Sequence, residues 1–285
     1  GKNGWWYEFQ LKIARKLIFK KWQEALGGNL TTIASGSAAL QPRLARVFTA
    51  AGMTVAEGYG LTETSPVISV NDMRNFQMKI GSVGPLLDDV EVKIAKDGEI
   101  LCKGPNIMIG YYKDEEKTNE VIKNGYFHTG DIGQIDADGF LKITDRKKAM
   151  FKTSGGKYIA PQVIENAMKQ SLLIEQIMVI GENQKFPAAL IQINFEAIKT
   201  WAKEKEIILT ANQAEWCKNL EIRYKVMDEI NKINESFGQW EKLKEIRITP
   251  DTWSVNDGHL TPTMKLKRKI LEEKYNSLIE NIYTS

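Results

Sequence analysis

Apolar and polar positions change their period along the chain, and each change predicts a different architecture. From Trp5 to Leu26 apolar residues recur at near-helical spacing while Lys12, Arg15, Lys16, Lys20 and Lys21 supply positive charge, which predicts a basic amphipathic helix. Such a helix can lie on a membrane surface, but most cover the core of their own domain, and that is the expectation here. An extended Thr31-Thr32-Ile33-Ala34 leads into Ser35-Gly36-Ser37-Ala38-Ala39-Leu40. A helix opened by Pro42 and stopped by Gly52 follows, then a strand from Met53 to Glu57. Over residues 1–70 this order predicts a partial α/β layer with ligand loops at strand ends.

Between residues 71 and 145 the period shortens to two and turn signals recur, as in a small antiparallel β-barrel or sheet. Val90 to Ile94 alternates, Lys96-Asp97-Gly98-Glu99 turns, and Ile100 to Lys103 returns. Ile132 to Ile135, Asp136-Ala137-Asp138-Gly139 and Phe140 to Thr144 repeat the hairpin pattern. A charged joint, Asp145-Arg146-Lys147-Lys148, reads as a polar hinge before a separate α+β C-terminal domain over residues 146–285. There, Pro161 opens a helix to about Lys169, Ile174 to Gly181 and Ala188 to Ile193 read as strands, and Trp201 to Trp240 reads as helices.

Composition narrows the chemistry only a little. Among 285 residues, 39 basic against 36 acidic side chains give a net charge of +3, too small to argue for a nucleic-acid partner. Cys102 and Cys217 form neither a metal-spaced pair nor a disulfide framework, which fits a reducing compartment. No stretch reaches the about 20 apolar residues of a membrane span. The expectation is a cytoplasmic protein, with the basic helix as the one feature suited to peripheral association at the inner face of the membrane. The oligomeric state is not legible.

The densest chemistry lies in Glu57-Gly58-Tyr59-Gly60-Leu61-Thr62-Glu63-Thr64. Gly58 and Gly60 permit a tight turn and close approach to a ligand. Thr62 can donate to a phosphate oxygen, and Glu63 is a hard oxygen ligand suited to Mg²⁺ carried on phosphates. Taken alone, an octet of this kind is more often an ordinary strand-to-loop turn. In Gly125-Tyr126-Phe127-His128-Thr129-Gly130-Asp131 the glycines expose Asp131 at an expected strand start, where its carboxylate can accept from two vicinal hydroxyls. A turn-stabilising Asp is the competing reading. Near the C-terminus, Pro262-Thr263-Met264-Lys265-Leu266-Lys267-Arg268 places a lysine on a turn-prone loop before a helix, where it can neutralise phosphate charge or simply begin a basic helix.

In this order the motifs resemble the adenylate-forming superfamily of acyl-CoA synthetases, peptide-synthetase adenylation domains and firefly luciferases, and within it the long-chain fatty acid CoA ligases. The resemblance rests on Ser35 to Leu40, Tyr59 to Glu63, Tyr126 to Asp131, Asp145 to Ile159 and Pro262 to Arg268. It implies two half-reactions: ATP and a fatty acid give acyl-adenylate and pyrophosphate, and coenzyme A then displaces AMP. By the same resemblance Gly36, Ser37 and Ala38 line the adenine, and Glu57, Gly58, Tyr59 and Gly60 belong to the nucleotide loop. Thr62 serves phosphate, Glu63 Mg²⁺, and Asp131 the ribose, with Arg146 supporting ribose or phosphate. Lys265 is the catalytic lysine of adenylation. Lys148 matches the hinge about which the C-terminal domain rotates between half-reactions. Lys152 and Tyr158 match contacts to nucleotide or intermediate, and Gly155, Gly156 and Lys157 match the loop presented to coenzyme A.

One departure qualifies the match. The family's phosphate loop, a Thr/Ser/Gly-rich run ending in Pro-Lys-Gly, is absent from these residues. The expectation is therefore a C-terminal portion of a longer ligase, inactive alone. Two alternatives predict different things: an adenylation domain that loads a carrier protein, or a non-catalytic binding module that retained the fold.

Overall fold

Thr32–Ser35 and Thr54–Tyr59 are short β-rich segments joined through a helix, a connection long enough to lay strands parallel, and they pair that way with Thr32 opposite Thr54 and Ser35 opposite Glu57. The computed structural model describes residues 4–72 and 77–284. By its contacts the chain divides into two compact units, Gly1–Ile143 and Thr144–Ser285.

In the first unit the crossover helix is Pro42–Ala50, with Pro42 in its first turn, where a missing N–H costs nothing. Ser69–Val70 adds antiparallel to the far side of Thr54–Tyr59, so the latter strand is central and its first four residues are buried. A second sheet orders Glu91–Ile94, Glu99–Lys103, Tyr126–Ile135 and Ile122–Lys123, with Leu141–Arg146 also paired to Tyr126–Ile135. Ile68, Ile100, Cys102 and Leu141 form the core beneath it.

The N-terminal segment is helical over Trp5–Ala14, Arg15–Phe19 and Lys20–Ala25, but it does not cover a core as expected: none of its residues is buried. Its apolar residues fall all round the axis, beginning with the consecutive Trp5, Trp6 and Tyr7, so one line of contact cannot shelter them. That line consists of Gln23 Nε2 donating to Ala51 O at 2.7 Å, Arg15 Nε donating to Ala50 O at 3.2 Å, and Trp22 against Phe48. Among the described residues no helix is long and apolar enough to cross a membrane.

The second unit is built on Ile174–Ile180, antiparallel to Ala188–Ile193, which in turn pairs parallel with Glu245–Ile248. Every residue of Ala188–Ile193 is buried, because both faces of this sheet are covered. One face carries Ile177, Val179, Ala189 and Ile191 against the helices Pro161–Met168 and Leu220–Asn234. The other carries Met178, Ile180 and Leu190 against Trp253, Leu260, Leu271 and Ile282.

One sequence expectation needs correction here, and one strand was missed. Asp145 is not part of a solvated joint: it is fully buried, and its carboxylate accepts from Arg146 N at 2.6 Å and from Gln162 N at 2.9 Å. Gln162 lies in the first turn of Pro161–Met168, whose own N-cap, Ala160, has no side chain able to accept. Asp145 therefore caps this helix from a distance in sequence. Glu245–Ile248 was not foreseen because four residues carry too little periodicity to stand apart from loop; pairing with a buried neighbour makes the strand.

Asp145→Ala should accordingly lower the stability of the protein by about 1–2 kcal/mol, since it leaves the Gln162 amide at the helix start and the Arg146 amide without this partner. Urea unfolding followed by tryptophan fluorescence measures this, and an unchanged midpoint would refute the capping role.

Candidate active site

The parallel pairing brings two loops to one edge. Gly36–Ala38 leaves the carboxyl end of Thr32–Ser35, and Gly58–Glu63 leaves that of Thr54–Tyr59, so both loops emerge side by side where α/β layers bind ligands. A methyl group placed on Gly36 would lie 3.7 Å from Gly58 O. Glu57 staples the two loops together by accepting from Leu40 N at 3.0 Å. Its burial pushes the carboxyl upward from the usual range, while the Leu40 and Gly81 amides pull it back.

Past Glu57 the chain turns sharply. Gly60 has no space for a side chain, since a Cβ would meet Pro66 O at 1.7 Å. Thr64, wholly buried, closes the turn: its Oγ1 accepts from Leu61 N at 2.9 Å and donates to Pro66 O at 2.8 Å. Thr62 is left exposed and Glu63 half-buried on the outer side of this turn.

Glu63 is further held by a neighbouring loop. Met108 N donates to Glu63 O at 2.9 Å, Asn106 Nδ2 to Val67 O at 2.9 Å, and Tyr111 Oη to Glu63 Oε1 at 2.9 Å. Sequence reasoning did not find Tyr111. The signal was the Gly110-Tyr111 pair, because a Cβ on Gly110 would press on Thr118 at 2.9 Å, and Thr118 Oγ1 accepts from Tyr111 N at 2.9 Å. Among the described residues no cluster of three or more His, Cys, Asp or Glu could hold a metal alone. A single oriented carboxylate instead fits Mg²⁺ delivered on phosphates, which that ion prefers to an all-protein cage.

Asp131 lies in the interior of Tyr126–Ile135 rather than at a strand start. The backbone around it departs from a regular ladder. Glu99 pairs with Ile132 but Leu101 with His128, so the register shifts opposite Thr129–Asp131, where Gly130 takes a φ of +70°. Glu99 supports this bulge by accepting from Gly130 N at 3.0 Å, and Thr129 Oγ1 accepts from Asp131 N at 3.1 Å. Tyr59 Oη donates to Asp131 Oδ2 at 2.7 Å, which joins the nucleotide turn to the bulge. Burial first, then the Asp131 charge, drive the Tyr59 phenol far up, so it stays a donor. The first unit thus carries Gly36, Ser37 and Ala38 on one loop, Glu57, Gly58 and Tyr59 at a strand end, Gly60, Thr62 and Glu63 on the turn after it, and Asp131 in the bulged strand Tyr126–Ile135.

In the second unit the remaining candidates sit on two structures. One is the hairpin Phe151–Lys152 with Tyr158–Ile159, whose turn has Thr153 N donating to Lys157 O at 3.0 Å and Gly156 at a φ of +74°. Lys152 Nζ lies 4.6 Å from the centre of the exposed Tyr158 ring, and Lys157 Nζ 5.5 Å from that of Trp240. Gly155 and Gly156 are open to solvent, and Arg146 and Lys148 are exposed on the approach to the hairpin. The other is a separate turn bearing Lys265. Thr261 N donates to Lys265 O at 2.8 Å, and Lys265 N donates to Thr261 Oγ1 at 3.0 Å, leaving the lysine side chain exposed.

Residues 8–112 match the family model described as AMP-binding enzyme, and residues 149–285 match that of the AMP-binding enzyme C-terminal domain. Long-chain-fatty-acid–CoA ligase FadD15 of Mycobacterium bovis is 38% identical over 268 residues, covering 94% of this chain and 44% of the relative. Long-chain-fatty-acid–CoA ligase 6 of Rattus norvegicus is 36% identical, covering 94% and 40%. The chain therefore spans less than half the length of these relatives. The A-PCP didomain of carboxylic acid reductase from Segniliparus rugosus, solved with AMP, shares the fold at a TM-score of 0.73 and 23% identity, over 95% of this chain and 37% of that one. The loops at the carboxyl ends of the paired strands, the matches on both units and the shared fold together place the chain in the family of AMP-binding, adenylate-forming enzymes.

Proposed function

We propose that the protein carrying this chain activates a long-chain fatty acid with ATP and transfers it to coenzyme A. The observation that carries this reading is the junction at Tyr59, where one side chain ties the Gly-Tyr-Gly turn to the buried Asp131 at 2.7 Å. Identity to relatives named long-chain-fatty-acid–CoA ligases supports the substrate class.

In the first half-reaction a carboxylate oxygen attacks the α-phosphorus of ATP, and the bond to pyrophosphate breaks. Gly36 to Ala38 receive the adenine between backbone segments that present no bulky side chain. Asp131, held by Tyr59 and by the bulge, accepts from the ribose hydroxyls, with Arg146 in support. Thr62 donates to a phosphate oxygen. Glu63, its carboxylate oriented by Tyr111, would hold Mg²⁺, which draws negative charge from the phosphates when bound. Lys265 supplies an ammonium where the pentacoordinate phosphorus gathers charge.

In the second half-reaction the thiolate of coenzyme A attacks the acyl carbon and AMP leaves with the bonding electrons. Gly155 and Gly156 leave the hairpin turn without side chains, which suits close approach of an extended pantetheine arm. Lys152, Lys157 and Tyr158 offer cations and an aromatic face beside it, and Lys148 lies at the hinge position.

Lys265→Ala in the complete protein should slow acyl-adenylate formation by about 10²–10³-fold while sparing thioester formation from supplied acyl-adenylate. Pyrophosphate release and thioester formation, measured separately, decide this; equal loss in both would contradict the assignment. Asp131→Asn should raise the KM for ATP by about tenfold or more, because a charge-assisted hydrogen bond to ribose is lost. An unchanged KM would remove Asp131 from the nucleotide site.

A further inference from the structure

Lys265 sits on a turn whose own bonds are local, and its two stems are held very differently. The incoming stem is apolar: Leu260 is fully buried among Met178, Ile180, Leu271 and Tyr275. The outgoing stem is ionic. Arg268, three positions after Lys265, donates through Nη1 to Val179 O at 3.0 Å and through Nη2 to Glu165 Oε1 at 2.6 Å. The same Glu165 oxygen accepts from Val179 N at 2.7 Å. One carboxylate thus joins the helix Pro161–Met168, the strand Ile174–Ile180 and the start of the helix Arg268–Lys274.

This arrangement is costly by each local measure. An arginine at the first position of a helix opposes the helix dipole, which favours anions there. Lys267, the N-cap, offers no side-chain hydrogen bond in compensation. Glu165 is buried, so desolvation pushes its carboxyl upward, with Arg268 and the Val179 amide only partly offsetting that. A buried ion pair of this kind is weak as a source of stability, since well-packed apolar residues often do as well. Its distinctive property is geometric: the planar guanidinium fork fixes position and direction together, which an apolar contact does not.

We infer that Glu165 and Arg268 are positioning residues for Lys265, setting the register in which the lysine turn leaves the core. The inference rests on the reading of Lys265 as the lysine of the adenylation step. Lys267 N donating to His259 O at 2.9 Å and the bridge between Leu260 and Leu266 close the turn above this anchor. The left-handed Met264, at a φ of 61°, leaves the turn little room to readjust if the anchor slips. A shift of about 1 Å at Lys265 would be enough to cost about a hundredfold in rate.

The test uses Arg268→Lys in the complete protein. This variant keeps the charge but cannot reach Val179 O and Glu165 together from one fork. Adenylation should fall by about a hundredfold in kcat with the KM for ATP little changed, while thioester formation from supplied acyl-adenylate is preserved. Amide hydrogen exchange should accelerate across 261–267 but not in Ile174–Ile180. Glu165→Gln, which keeps the shape and removes the charge, should show the same split, and it serves if Arg268→Lys does not fold. Adenylation at the wild-type rate, or parallel loss in both half-reactions with faster exchange throughout the sheet, would overturn the positioning role. If Lys265→Ala loses adenylation selectively and neither anchor variant does, the positioning role alone fails. If Lys265→Ala adenylates normally, the reading beneath it fails and takes the inference with it.

Discussion

The in-register parallel pairing of Thr32–Ser35 with Thr54–Tyr59 is the constraint on which the first unit's chemistry depends. Parallel strands send their following loops out at the same edge, so the pairing places Gly36–Ala38 beside Gly58–Glu63 without any further device. A slip of one residue would turn every side chain of one strand to the opposite face. Glu57 would then lose Leu40, and Tyr59 would lose Asp131. Both bonds act as checks on the register as well as parts of the candidate site.

The second unit reaches order by another route, through carboxylates withdrawn from water. Asp145 caps a helix that begins well after it in sequence, and Glu165 joins three elements at a single oxygen. A buried carboxylate is expensive unless its lone pairs are filled, so each of these groups tolerates few arrangements of its neighbours. Lys148, Lys152 and Lys157 are by contrast exposed, the latter two lying over the rings of Tyr158 and Trp240. Specific geometry is held by the buried carboxylates, while these lysines stay at the surface.

Much of this was legible from residue order. Pro42 marked its helix because a proline can only begin one, and Gly98 and Gly139 marked hairpin turns by adopting left-handed φ values of 86° and 85°. The Gly58 to Glu63 segment was legible as a tight turn for a different reason, since Gly60 has no room for a Cβ beside Pro66. What escaped depends on partners distant in sequence. The placement of Asp131 comes from a register shift against Glu99–Leu101, of which Gly130 was the only local trace. Tyr111 reaches Glu63 across 48 positions, and Arg268 reaches Glu165 across 103. The N-terminal helix was misjudged because apolar count was read as one face, whereas its aromatic residues surround the axis.

The central claim is that the carboxyl ends of the paired parallel strands receive the adenine nucleotide. Photolabelling of the complete protein with 2-azido-AMP, followed by peptide mapping, tests it directly. The account predicts adducts within residues 36–40 or 57–60, suppressed by excess ATP. Adducts confined to other segments, or labelling that ATP does not suppress, would contradict it.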